Sequence, residues 1–481
     1  MRDWASLEKD KTEPSQPCGV DSILAWVMCK SAKVGLGAVT NLLPIFVIRL
    51  KKKTRPVNPE EKAELKVTRS ARHAKNIFMS PADSQTAELF QRLPETPHVT
   101  IPAEATRSVF ARTGILPCQA IRAMIGAGEI FGAPEIEPDQ IQPASLDLRL
   151  GKVAYRIRAS FLPGPGATVR DKLGGLKFHE IGLTKGAVLE AGCVYLVPLI
   201  EQLKLRSTIA GFANPKSSTG RLDVFTRLIA DNQDTFDAVE EGYSGPLFAE
   251  ICPRTFSIKV RYGSRLNQIR FRRRVGQQLD ADERPGRIGD RRLREIHSDI
   301  GLVEGEAAIR EGLNLRISLA PIPPSGLVGY RARRYAGVID VDAVGAYEAD
   351  QFWEAVHLRD DRRLVLDPHE FYILASKESV SVPPAYVAEM APFDPLIGEY
   401  RVHYAGFFDP GFGYTEGKAP GAKAVLEVRS LDIPFILEDG QIVGRLVYDK
   451  LTDIPDQIYG HGIGSHYQAQ GLKLSKHFKQ G

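Results

Sequence analysis

The chain has 481 residues, of which 43% are hydrophobic and 25% charged, enough for two or three soluble globular domains. A net charge of +4 is too small to hold a nucleic-acid polymer, so any anion site must be local. Cys18, Cys29, Cys118, Cys193 and Cys252 are scattered without a C-x-x-C pair, which argues against a disulfide framework and structural zinc and fits a reducing cytoplasm.

Residues 1–105 read as a poorly structured extension or linker. Val34 to Ile48 is mostly apolar but too short for a membrane span, interrupted by Asn41 and Pro44, and followed by a basic cluster instead of a signal-cleavage site. No membrane partner is expected. Lys51 to His98 is polar and proline-punctuated, as linkers and disordered segments are, and Met79 opens a more typical start.

Residues 106–275 form the first predicted domain. Ile121, Met124 and Ile125 fall at helical spacing, with Gly128 as the stop. Leu146, Leu148 and Leu150 alternate with Asp147, Arg149 and Gly151 as in a half-buried strand, and further short strands cover 188–189, 193–199, 209–212, 247–251, 257–260 and 266–271. Many short strands, frequent turns and one clear helix predict a mainly β fold, a barrel or jelly roll. Arg261, Arg265, Arg270, Arg272, Arg273 and Arg274 read as a solvated strand edge, with a nucleotide contact as the alternative.

Residues 276–312, rich in Asp, Glu, Arg and Gly, read as a connector to a second domain over 313–481. There the pattern returns. Tyr195 and Tyr372, Glu250 and Glu427, and Gly263 and Gly440 each lie 177 residues apart, the mark of a duplication. Two tandem barrels with few short helices are therefore expected.

The turn Pro215-Lys216-Ser217-Ser218-Thr219-Gly220-Arg221 concentrates hydroxyls and cations that suit phosphate oxygens, without Walker spacing. A solvated polar turn is the plainer reading of these residues alone. The second copy has Pro392-Phe393-Asp394-Pro395 instead, which would repel phosphate. Glu250 and Glu427 each end an apolar run, where an unpaired buried charge is costly; the alternative is an exposed position on a half-buried strand.

Gln142-Pro143-Ala144-Ser145-Leu146-Asp147-Leu148-Arg149-Leu150-Gly151, then the Lys216–Arg221 turn, then Gly242-Tyr243-Ser244-Gly245 before a glutamate-bearing strand, together resemble the dCTP deaminase family of the dCTP deaminase/dUTPase superfamily, in its long two-domain bacterial form. Phe408-Asp409-Pro410-Gly411-Phe412 and the tail Tyr459 … His466-Tyr467-Gln468-Ala469-Gln470 are similar to family motifs too, with His466 where the family has lysine.

The resemblance implies a distorted, dUTPase-like β-barrel and hydrolytic deamination of dCTP to dUTP and ammonia, with a buried glutamate as general base. Zinc is not expected, since neither H-x-E nor P-C-x-x-C occurs. Mg²⁺ would arrive with the triphosphate. Lys216, Ser217, Ser218 and Arg221 would hold phosphate and catalytic water. A neighbouring barrel would supply the rest: Glu250 from a second subunit of a homo-oligomer, whether a trimer or a dimer-based pseudo-trimer, or Asp409, Glu427, Tyr459, His466 and Gln470 from a second half. A glutamate without a role should drift to a hydrophobe, which favours Glu250; the Asp-Pro-Gly match and the tail favour Glu427. The sequence leaves the choice open.

The nearest alternatives are a dUTP diphosphatase or bifunctional enzyme, suggested by Tyr243, and an inactive nucleotide-binding regulator, suggested by the diverged Phe393-Asp394-Pro395 turn.

Overall fold

A computed structural model describes residues 112–276, 286–358, 363–391, 400–402, 406–417, 421–460, 467 and 470–479, which belong to one compact unit. The expected N-terminal linker, the Phe393-Asp394-Pro395 turn and His466 lie outside the described residues. The fold is mainly β, as the strand pattern predicts. The helix Cys118–Gly126 buries Ile121 and Met124 and ends before Gly128. Two sheets of five and six strands build the first half, with Arg265–Arg273 and Val194–Lys204 as central strands; a nine-stranded sheet dominates the second.

The duplication is visible in strand register. Glu250 of Ser244–Pro253 lies opposite Leu196, and Glu427 of Ala422–Ser430 lies opposite Ile373, the same pairing displaced by 177 residues. A corner hydrogen bond repeats as well. Tyr195 Oη accepts from the Glu190 amide at 3.0 Å, and Tyr372 Oη accepts from the Asp367 amide at 3.1 Å.

Three features depart from the sequence reading. The strand Leu146–Arg149 is buried throughout. Its polar face turns inward because Arg149 Nε meets the buried Glu201 at 2.7 Å and Asp147 pairs with Lys216. The stretch read as connector contains the helix Asp290–Ile300, whose Leu293 and Ile296 join Leu302, Val303 and Ile309 in the second core; its charged outer face hid that narrow apolar stripe.

The arginine run is a correction: it is neither a solvated edge nor the phosphate site. Arg265–Arg273 pairs on both sides, with Leu146–Arg149 and Ile209–Pro215, and its buried arginines reach into the second half. Arg270 donates to Asp409 Oδ1 at 2.9 Å, to the carbonyls of Ala388 and Phe408, and stacks on Phe407. Arg272 donates to Asp449 at 3.1 Å. A guanidinium is well suited to such joints, because it presents several donors and sheds water more readily than an ammonium.

The halves also share apolar packing. Phe256 of the first meets Trp353 at 5.4 Å and Phe352 at 5.7 Å between ring centroids, with Phe478 of the tail 6.0 Å from Trp353. Ile258 pairs in parallel with Ile339 across the same seam. Removing a ring from a close-packed cluster costs about 3–5 kcal/mol. Phe478→Ala should lower stability by that amount in urea unfolding, with fluorescence and circular dichroism moving together because residues of both halves pack in the cluster that holds Phe478.

Candidate active site

The strand Ile209–Pro215 delivers the polar turn into a cleft between the halves. One helical turn, Ser217–Gly220, follows, pinned from behind where the Lys216 amide and Thr219 Oγ1 donate to the Leu266 carbonyl at 2.9 and 3.0 Å. Lys216, Ser217, Ser218 and Arg221 line a cavity of about 590 Å³, within the range of small-molecule sites. Its other wall comes from the second half of the same chain and includes Asp409, Glu427, Tyr459 and Gln470. The unlike halves therefore meet, and a site with both walls forms within a single chain.

Glu427 enters from Ala422–Ser430 and is only 7% exposed. Its carboxylate rests on the bare α-carbon of Gly220: a Cβ there would collide with both oxygens. Oε2 has no hydrogen-bond partner among the described residues. Burial raises its pKa well above the ordinary carboxylate range, and the nearby Arg221 guanidinium only partly offsets that. Burial thus favours the protonated form of this carboxyl.

Arg221 is fixed by the tail. It donates to Gln470 Oε1 at 2.9 Å and to the Lys473 carbonyl at 2.9 Å, and stacks 4.0 Å from the centroid of Tyr467. Gln470 is held in turn, its Nε2 donating to the Lys423 carbonyl at 3.0 Å. Lys216 pairs with Asp147 from the strand beside the turn. On the far wall, Asp409 is tied to Arg270; burial raises its pKa and Arg270 opposes the rise. Gly411, at φ 95°, lets the Asp409 loop press against the Tyr459 backbone, where a Cβ would come within 2.9 Å of the Tyr459 carbonyl oxygen.

Glu250 lies elsewhere. It is 2% exposed, it is not among the residues lining the cavity, and its Oε1 accepts from Ser160 Oγ at 2.9 Å. Ser160 belongs to the segment after strand Val153–Ile157 that leads to the helix Val169–Leu176. Phe161, Val169 and Leu173 of that stretch pack with Ile157, Leu196, Ile229 and Phe248 in a small core on this side. The same register position thus lines this cavity in one half and not in the other.

Tyr467 and Lys476 are among the lining residues that escape the sequence reading. Tyr467 lies in the quoted tail but is not singled out there, although an aromatic ring is a recognisable partner for a guanidinium. Lys476 lines the cavity with no motif to mark it.

Comparison with known proteins gives the class first. Residues 112–275 match the 2′-deoxycytidine 5′-triphosphate deaminase (DCD) N-terminal domain, and residues 289–478 match the C-terminal domain, a span that takes in the helix Asp290–Ile300. The chain is similar to the "dCTP deaminase, dUMP-forming" of Halobacterium salinarum, with 28% identity over 175 residues, 35% of this chain and 85% of that protein. It is similar to the protein of the same name in a Sulfurihydrogenibium species, with 30% identity over 179 residues, 36% of this chain and 89% of that one. Among solved structures, 2′-deoxycytidine 5′-triphosphate deaminase from Agrobacterium tumefaciens shares 51% identity, covers 72% of this chain and 99% of its own, and superposes with a TM-score of 0.67. The protein is an enzyme of the hydrolase class. It belongs to the 2′-deoxycytidine 5′-triphosphate deaminase family.

Burial of Glu427 has a consequence for stability. Its folded pKa stands above the unfolded value, so the folded state binds the proton more tightly. That contribution is complete below the unfolded pKa of about 4.3 and is lost as pH rises through the folded pKa, where a charge must be held in a dry site. Glu427→Gln removes the penalty. Thermal unfolding without nucleotide should show the variant gaining on the native protein between pH 5 and pH 8; a difference that does not change with pH would remove the argument.

Proposed function

We propose that this protein hydrolytically deaminates dCTP, with Glu427 as general base and then general acid. The observation that carries the reading is that Glu427, and not Glu250, shares the cavity with the hydroxyl- and cation-rich turn. A water between Glu427 and C4 of the cytosine gives a proton to the carboxylate as its oxygen bonds to C4 and the C4=N3 π pair moves onto N3. The carboxyl then passes that proton to the exocyclic nitrogen. The N3 pair re-forms the double bond to C4 as the bond to the exocyclic nitrogen breaks, ammonia leaves, and transfer of the hydroxyl proton to N3 gives the uracil nucleotide. One carboxyl can serve both steps when burial has moved its pKa towards neutrality, and such proton transfer supplies about 10²–10⁴ in rate.

The other residues take roles by position. Lys216, Ser217 and Ser218 bind phosphate oxygens, replacing the Lys216–Asp147 pair with a nucleotide contact. Arg221, held by Gln470, Tyr467 and the tail carbonyls, orients the water and faces the charge that develops at C4. Asp409 and Tyr459 face sugar and base. Mg²⁺ arrives on the phosphate chain as part of the substrate, since among the described residues no group of three His, Cys, Asp or Glu side chains is placed to cage a metal. His466 keeps no assigned contact. One working site per chain follows, whether or not copies of the chain assemble, and the free thiols of Cys118, Cys193 and Cys252 suit the cytoplasm, where this step would feed thymidylate synthesis.

A second reading concerns the product. The relatives named above as dUMP-forming favour an enzyme that goes on to release pyrophosphate, in place of dUTP as the final product.

Ammonia and pyrophosphate release from dCTP and dUTP, assayed separately, distinguish these readings. Glu427→Gln keeps size and polarity but cannot accept the proton, and should lower ammonia release by at least 10² with little change in dCTP affinity. Ser217→Ala or Arg221→Ala should cost at least about tenfold. Glu250→Gln should retain native turnover. If Glu250→Gln is the dead variant, the base has been assigned to the wrong half.

A further inference from the structure

We propose that Lys476 is a further phosphate-binding residue and that it makes this site selective for the triphosphate over shorter phosphate chains. The inference rests on the reading of the cavity as a dCTP site. It starts from how firmly the residue is placed. Its neighbours Ser475 and His477 are almost fully buried. Ser475 Oγ donates to the carbonyl of Ser218, inside the polar turn itself, at 2.8 Å. The His477 ring contacts Ser475 Oγ at 2.9 Å and the Val341 carbonyl at 2.9 Å, and the Lys476 amide donates to Tyr467 Oη at 3.1 Å. The lysine backbone is thus bolted to the turn and to the tail at once.

Its ammonium is treated differently from the other cations of the site. Arg221 already donates to tail acceptors and Lys216 has Asp147, whereas Lys476, a half-buried residue of the cavity lining, has no hydrogen-bonded or ion-paired acceptor for its Nζ among the described residues. Burial, and then repulsion from Lys216, push its pKa below the ordinary lysine range. Two ammonium groups converging on one cavity are unfavourable until an anion enters between them.

The tail leads away from Glu427 before it reaches Lys476. Gln470 bonds Arg221 and the Lys423 carbonyl on the strand of Glu427, Ser475 then bonds Ser218, and His477 reaches the Val341 carbonyl. With C4 of the base at Glu427, Lys476 follows on the Ser218 side, where the outer phosphates of a triphosphate would reach and a monophosphate would not. A lysine is suited to this as a compact charge that can follow the phosphate chain.

The test uses the full chain carrying Glu427→Gln, so that bound dCTP is not consumed, and measures dCTP and dCMP affinity by calorimetry with and without Lys476→Gln. Loss of one charge-assisted contact should weaken dCTP roughly tenfold or more and leave dCMP within about twofold. Lys476→Arg should recover most of the loss. An unchanged dCTP affinity overturns the proposal, and so does an equal fall for both nucleotides with no recovery by arginine, which would mean only that the tail had loosened. Inorganic triphosphate separates the two layers of the inference. If the protein with Lys476 binds it but neither cytosine nucleotide, and Lys476→Gln weakens it, the phosphate contact stands and the dCTP reading fails. If it binds none of the three, both fall together.

Discussion

A carboxylate of one half lies against the bare α-carbon of a turn in the other, and the elements on both sides hold that contact in place. Gly220 admits Glu427 because it has no side chain. The turn holds still because Leu266 anchors it from behind, and the strand carrying Glu427 holds still because Ile373 and its neighbours pair along it. Glu427 Oε2 has no hydrogen-bond partner among the described residues, and a buried carboxylate oxygen left so is a liability for folding. Under the proposed mechanism that liability has a use: the burial that destabilises the ionised form would allow a single group to take a proton and return it.

The duplicated glutamate shows how one sequence feature can be put to two ends. Glu250 and Glu427 occupy equivalent register positions, yet different segments cover them. Around Glu250, Ser160 supplies a donor and the segment through Val169–Leu176 closes the space with a small apolar core. Around Glu427 the cover is a turn from the other half, polar and hollow. Burial raises the pKa of both, so perturbed titration alone does not distinguish a reacting carboxyl from a retained one. Access to the cavity does.

Much of the fold was legible. The helix from Cys118, the short strands and the 177-residue echo follow from periodicity and turn residues, because those signals are local. The choice between the glutamates was not, since it depends on which barrel stands opposite the turn, a relation no local pattern encodes. The argument that a roleless glutamate should drift to a hydrophobe leaves out Ser160, a hydroxyl 90 residues away along the chain that donates to Glu250 Oε1. Charge misled in two other places. The run ending in Arg274 looks solvated because arginine usually is, yet its buried members find Asp409, Asp449 and the Phe407 face in the second half, and Phe212 in their own. In Asp290–Ile300 the charged residues are indeed outside, and two apolar ones suffice to seat the helix.

The tail explains why the halves cannot be considered separate modules. Between Gln470 and Phe478 it crosses from the strand of Glu427 to the phosphate turn and then to the aromatic cluster between the halves. Each step ties a site residue to a structural one: Gln470 to Arg221, Ser475 to Ser218, and Phe478 to Trp353. Interactions that share members in this way are not additive, because loosening one frees its neighbours. The geometry at Arg221 therefore depends on packing at Phe478 through about two turns' length of extended chain, and the order of the active site is inseparable from the order of the seam.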